Sequence, residues 1–186
     1  MTAINDASPL LTHYVELADG LAGVLDSLPA DAWTNDSPCD GWTGRDVVAH
    51  IIGTQREFFT GHDVDLGPAP SLDDPAAAWR AHRDAAAEVL ADPAVGDRAF
   101  DGHFGPTTIG ETLLRFYGFD MIAHRWDVAR AGGVAHTFTD AELAEMEAAA
   151  DSFGDALYSE GVCEKRDVPA DADRQTTLLA RLGRTV

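Results

Sequence analysis

Phe119-Asp120-Met121-Ile122-Ala123-His124-Arg125-Trp126-Asp127-Val128-Ala129 lies within the most apolar run of the chain, Ile109 to Ala131. On a 3.6-residue helix, Leu113, Leu114, Phe116, Tyr117, Phe119, Met121, Ile122, Trp126 and Val128 cover almost every side. A helix that is apolar all round is enclosed by its neighbours, so this one is central. Gly132-Gly133 ends it. Asp120, His124 and Asp127 interrupt the apolar pattern at i, i+4 and i+7, which stacks them along one side. Buried carboxylates and imidazoles need polar partners. An Asp–His pair hydrogen-bonded in the core is one solution, and a shared metal ion is another.

Working outward, Pro9 to Leu28 reads as a first helix, with Leu11, Tyr14, Leu17, Ala18, Leu21, Leu25 and Leu28 on its stripe and Pro29 as a stop. Asn35 to Gly41 is rich in turn formers and predicts a loop. Thr43 starts a second helix. Asp46 at its third position completes a capping box, and Val47, His50, Ile51, Thr54 and Phe58 share one face. Gly61 to Pro70 is a second loop. Asp73 or Asp74 caps a third helix with Pro75 in its first turn, followed by Trp79, His82, Ala86, Val89 and Leu90. Asp92 to Thr108 is irregular and forms either a short hairpin or a cover over one end. Thr139 and Glu142 form another capping box for a fifth helix. Gly161 to Ala172 reads as a linker, and Gln175 to Leu182 as a short last helix. No alternating pattern supports a major sheet. The expectation is a single all-α domain over residues 1–186, a helical bundle with short connections and a short C-terminal extension.

A chain of 186 residues with 45% apolar content can bury a sizeable core. The net charge of −19, from 32 acidic against 13 basic residues, argues against nucleic acid and anionic lipid as partners. No stretch approaches the ~20 apolar residues that cross a bilayer. Met1 to Ser8 has neither a basic region nor an apolar core, so no secretory signal is read there. Two cysteines without a C-x-x-C pair fit free thiols and a cytoplasmic location.

His50 matters because it is a second histidine in an apolar helix, and it repeats the spacing Asp46–His50 against Asp120–His124. Asp46 is accounted for by its capping box, whereas no cap accounts for Asp120 in mid-helix. The candidate metal ligands are therefore His50, Asp120 and His124, with Asp127 placed to orient a ligand. Two histidines and one carboxylate leave coordination positions open, which is the mark of a catalytic rather than a structural site. The donor set suits zinc, nickel, iron(II) or manganese. Trp42 and Trp126 are expected in core packing. Arg45, Arg56, Arg125 and Arg130 either contact an anionic substrate or pair with carboxylates, the second being the default in so acidic a chain. His62 and His103 fall in loops and are expected to be solvated. Cys39, just before a helix, is either a reactive thiol or a half-buried structural one.

Pro38-Cys39-Asp40-Gly41-Trp42-Thr43, leading to Ala49-His50, resembles the entry to the second helix of the DinB-like superfamily. More narrowly it resembles the mycothiol-dependent maleylpyruvate isomerase type of metal-binding protein. His124-Arg125-Trp126-Asp127-Val128-Ala129 is similar to the HGWDLA segment of an actinobacterial branch, and Val168 to Ala172 through Leu182-Gly183-Arg184 resembles that branch's C-terminal segment. The resemblance implies a DinB-type four-helix bundle and a divalent metal held by His50, Asp120 and His124. The isomerase carries glutamate at the carboxylate position, and the aspartate here is a methylene shorter. The resemblance also implies a low-molecular-weight thiol, mycothiol or similar, activated for transfer to or isomerisation of a small-molecule substrate. A metal-dependent hydrolase, a non-catalytic metal- or ligand-binding protein, and a bundle with merely satisfied core histidines are the rival readings. Monomer and homodimer both remain open.

Overall fold

The computed structural model describes residues 8–159 and 162–186. The signal-free reading of residues 1–7 and the first residue of the predicted linker lie outside them. Helix α1 spans Pro9–Ser27, capped by the Ser8 hydroxyl, which accepts from the Leu11 amide at 3.1 Å. Helix α2 spans Gly44–Gly61 and opens on the expected Thr43–Asp46 capping box. Helix α3 spans Pro75–Leu90, and Asp74 rather than Asp73 is its cap. A single turn, α4 at Pro93–Gly96, leads into an antiparallel hairpin of β1 (Ala99–Gly102) and β2 (Gly105–Thr108), so the irregular stretch takes the hairpin form. Helices α5 (Ile109–Thr112) and α6 (Phe119–Ala131) run on through a π-helical segment at Leu113–Gly118. Helix α7 (Asp140–Phe153) starts at the Thr139–Glu142 box and ends in a 3₁₀ turn at Gly154–Tyr158, and α8 spans Arg174–Arg181.

The architecture is the all-α bundle the periodicity predicts. Helix α1 packs on α3 and α6, and α2 packs on the same two, so α1 and α2 lie diagonally across a four-helix core. Tyr14, Leu21 and Leu25 of α1 meet Val47, Ile51 and Phe59 of α2, Trp79 of α3 and Ile122 of α6 in that core. Truncating one such leucine to alanine costs about 2–5 kcal/mol. The extension explains the all-round apolar helix. Helix α7 covers the side of α6 that the bundle leaves open, and α8 packs on α7. Every residue from Met121 to Ala129 is consequently buried.

The face of α2 differs from the sequence reading. Val47, Val48, Ile51, Ile52, Gln55 and Phe59 are buried in the bundle, whereas His50, Thr54 and Phe58 lie on its flank. The apolar stripe is wide, and the histidine sits at its edge rather than its centre. The preceding loop is anchored at both ends. Asn35 Nδ2 donates to the Ala131 carbonyl at 3.0 Å, and the Gly44 amide donates to the Asn35 carbonyl at 3.0 Å. A Cβ on Gly44 would collide with the Ala32 carbonyl, so only glycine lets α2 begin this close to the preceding turn. Between the anchors, Cys39 to Trp42 forms a tight turn with Gly41 at φ 79°. That turn presents Cys39 and Trp42 to α6.

Candidate metal centre

Asp120 lies between two imidazoles. His124 Nε2 is 3.2 Å from Asp120 Oδ1, one helical turn away, and His50 Nε2 reaches across from α2 to 3.3 Å from Asp120 Oδ2. One donor atom from each of the three side chains lies within 4.8 Å of the others. Two ligands about 2.1 Å from a common tetrahedral ion sit about 3.4 Å apart, so these spacings fit a divalent cation with little adjustment. Three protein ligands also leave room for a guest.

Behind His124 the polar groups continue. His124 Nδ1–H donates to Asp127 Oδ2 at 2.8 Å, so Nε2 is the nitrogen left to face Asp120. Asp127 is completely buried. It is held in turn by Arg184, which donates from Nε at 3.2 Å and from Nη2 at 2.7 Å, while Nη1 binds the Leu182 carbonyl at 2.7 Å. The Cys39 thiol donates to the same Asp127 oxygen at 3.3 Å. Burial alone would raise both carboxyls. The histidines beside Asp120 overturn that and hold it below the ordinary carboxylate range, and His124 with Arg184 holds Asp127 at about 2. Burial alone would likewise lower His124, but Asp120, Asp127 and Cys39 raise it well above the usual histidine value.

Cys39, His124 and Asp127 form a second grouping with suitable spacing. The Arg184 guanidinium already supplies its positive charge, at 2.7 Å from Asp127 and 3.5 Å from His124 Nδ1. A cation there would face that guanidinium at close range, so His50, Asp120 and His124 are the set able to hold a metal.

The cluster opens into a cleft of about 1080 Å³. Trp42 packs against the core, as expected, but only partly buried, and its ring also meets His50 at 4.8 Å between centroids and lines this cleft. Trp126 is buried as expected. Cys39 is a half-buried free thiol that packs on the core, lines the cleft and bonds to Asp127. The four arginines singled out from sequence lie elsewhere. Arg45 and Arg56 donate to the Leu72 and Gly67 carbonyls, Arg125 pairs with Glu142, and Arg130 lies over the Trp126 ring. The arginines of the cleft are Arg166 and Arg184. Arg184 carried no local signal, because its partner lies 57 residues earlier. His103 stands exposed at the cleft rim, and His62 packs against Phe58 and Phe100. Asp46 stays in its capping box, as the sequence predicts.

Residues 14–62, which include His50, match the model of the mycothiol maleylpyruvate isomerase N-terminal domain. Over nearly its full length the chain is similar to uncharacterized protein Rv0738 of Mycobacterium tuberculosis (strain ATCC 25618 / H37Rv), with 30% identity across 96% of this chain and 98% of the relative. The chain belongs to the DinB-like, mycothiol-related family. A more distant relative in the same strain, uncharacterized protein Rv0036c, is 27% identical over 72% of this chain and 60% of its own length. No solved structure matches the chain. Within this DinB-like family the matched segment supplies one histidine of the cluster, and the other two donors come from α6, beyond it. Among the described residues no helix is long and apolar enough to cross a membrane.

Proposed function

We propose that His50, Asp120 and His124 bind a divalent metal ion, and that the protein uses it to activate a low-molecular-weight thiol of the mycothiol kind against a small electrophile. The observation that carries this reading is the convergence of three donors from two helices on the floor of an open cleft. A divalent ion held there supplies a Lewis acid that lowers the pKa of a coordinated thiol toward neutrality. The protein's own groups do the rest. His124 is fixed in ring orientation and tautomer by Asp127, and Asp127 is fixed by Arg184. Asp120 balances part of the ion's charge, and the cleft admits thiol and electrophile together.

In the transfer reaction the thiol loses its proton to solvent, its sulfur forms a bond to the electrophilic carbon, and the leaving group departs with its electron pair. In an isomerisation the sulfur adds to a conjugated double bond, the former double bond rotates, and the sulfur leaves with its electron pair so that the thiolate is regenerated. This chemistry suits a reducing cytoplasm, where the thiol stays free.

The test combines metal analysis of the purified protein with a mycothiol titration and a mycothiol-dependent conjugation assay using an alkylating electrophile. Bound metal, thiol binding and conjugation are the expected results. Absence of metal uptake would leave only a helical scaffold. Metal uptake with hydrolysis but no thiol dependence would favour metal-activated water, and metal uptake with neither reaction would favour binding alone.

A further inference from the structure

Among the described residues four large apolar side chains are exposed, namely Phe104 at 45%, Tyr158 at 39%, Val162 at 57% and Val186 at 59%. Three of them, Phe104, Tyr158 and Val162, line the cleft that holds the metal-ligand cluster. Exposed apolar surface gathered at one concave site, rather than scattered, marks a place that binds something apolar.

The aromatic side chains of this wall are also ordered. Phe104, on the turn between β1 and β2, stacks on Phe116 of the π-helical segment at 6.0 Å and 17°. Phe116 stacks on Phe153 at the end of α7 at 5.3 Å and 11°, and Phe119 meets Phe153 edge-on at 5.3 Å. The Arg115 guanidinium lies 4.7 Å from the Phe104 centroid and 5.5 Å from that of Phe116, clasping the stack. Among the described residues Arg115 forms no ion pair, so the rings are its partner. The hairpin turn, the π-helical segment and the end of α7 thus align their rings in one orientation. Such a wall favours a flat partner, which can stack or meet edges along its whole face, over a flexible aliphatic chain.

The wall's position relative to the donors follows from the helix. Phe116 precedes Asp120 by about one turn across the junction of the π-helical segment and α6, whereas Arg184 binds beyond His124 at the opposite end. A ring against Phe116 and Phe119 therefore places a carbon attached to it beside the His50–Asp120–His124 cluster.

We propose that the Phe104–Phe116–Phe153 wall is the subsite for the electrophile, and that the electrophile belongs to the class of small molecules whose reactive carbon is borne on an aromatic ring system. The placement of the reacting sulfur rests on the metal-thiol reading above, whereas the subsite itself does not require the ion.

The experiment titrates S-benzyl-N-acetylcysteine and S-propyl-N-acetylcysteine, the thioethers an aromatic and an aliphatic electrophile would leave, into zinc-loaded and metal-stripped protein by calorimetry. The benzyl compound is expected to bind about tenfold more tightly in both forms. Phe104→Ala, at an exposed turn, and Phe116→Leu reduce that ratio to about twofold while the propyl compound binds as before. Equal affinity for the two compounds, no binding of either at millimolar concentration, or folded variants that keep the ratio would each overturn the proposal. Zinc content, measured on the same samples, reports separately on the metal reading. A protein that takes up no zinc yet keeps the benzyl preference would defeat that reading and uphold the subsite.

Discussion

Helix α2 contributes to two polar clusters, and burial has opposite consequences in them. On its core side Gln55 Oε1 accepts from the Tyr14 hydroxyl at 3.1 Å and lies 3.0 Å from His82 Nε2. All three side chains are completely buried, and among the described residues no carboxylate approaches them within bonding distance. Burial therefore dominates there, against the Arg83 charge at Tyr14 and together with the Arg56 charge at His82. It pushes the Tyr14 hydroxyl above its usual range and His82 down to about 4, so both stay neutral. On the flank, His50 enters a cluster that is half-buried at Asp120 and closed off behind His124, and there Asp120, Asp127, His124 and Arg184 all favour their charged forms. The difference is composition: opposite charges in contact outweigh the desolvation that discharges an isolated group. A buried neutral triad serves packing, and a charged one opening on a cleft can exchange a proton or a cation with a ligand.

The largest expected effect is on the charged side. His124→Ala removes the donor that links Asp120 to Asp127, and zinc affinity should fall by more than about 100-fold while the helical circular-dichroism spectrum is retained. Full zinc occupancy in that variant would reduce the charged cluster to a second packing device. Next comes the neutral side. His82 protonates below about pH 4 when folded and below about 6.5 when unfolded. The unfolded chain thus takes up the proton first, and stability is lost as pH falls from about 6.5 to about 4. The loss amounts to about 3 kcal/mol. Urea midpoints at pH 7.5 and 4 should show it in the wild type, and His82→Leu should lack it. Equal acid sensitivity in both would mean that His82 is not held neutral.

Asp127→Asn sharpens the contrast within the charged cluster. It keeps the shape beside His124 but removes the charge, and zinc affinity should drop about 10- to 100-fold by calorimetry. An unchanged affinity would mean that Asp127 does not orient its neighbour. The smallest effect belongs to the outwardly identical motif on α2. Asp46→Ala should cost about 1 kcal/mol in urea unfolding through the lost cap and leave zinc binding untouched. Loss of zinc in that variant would exchange the roles of Asp46 and Asp120.

What could be read from the sequence was local. Helix starts were legible because Thr43–Asp46 and Thr139–Glu142 carry their caps within four residues, and Asp120 stood out because no cap explained it. His50 was legible as a candidate, but its position at the edge of the stripe was not. Cys39 and Trp42 face the cluster only because a loop is anchored at Ala131 and at Gly44. Arg184 meets Asp127 across 57 residues, and the aromatic wall needs Phe153 of α7 to fold back on Phe116. Such contacts leave no periodic trace in the chain, so propensity and spacing could not reveal them.

The dependence of Asp127 on Arg184 has a consequence for biosynthesis. A ribosome that has completed α6 has already made His50, Asp120 and His124. Until residue 184 emerges and α8 docks, however, the charge behind His124 lacks its guanidinium partner, and the buried Asp127 is held only from the His124 and Cys39 side. Nascent chains should therefore acquire their helices early and settle Asp127 late, once the last helix has packed on α7 and brought Arg184 to its carboxylate.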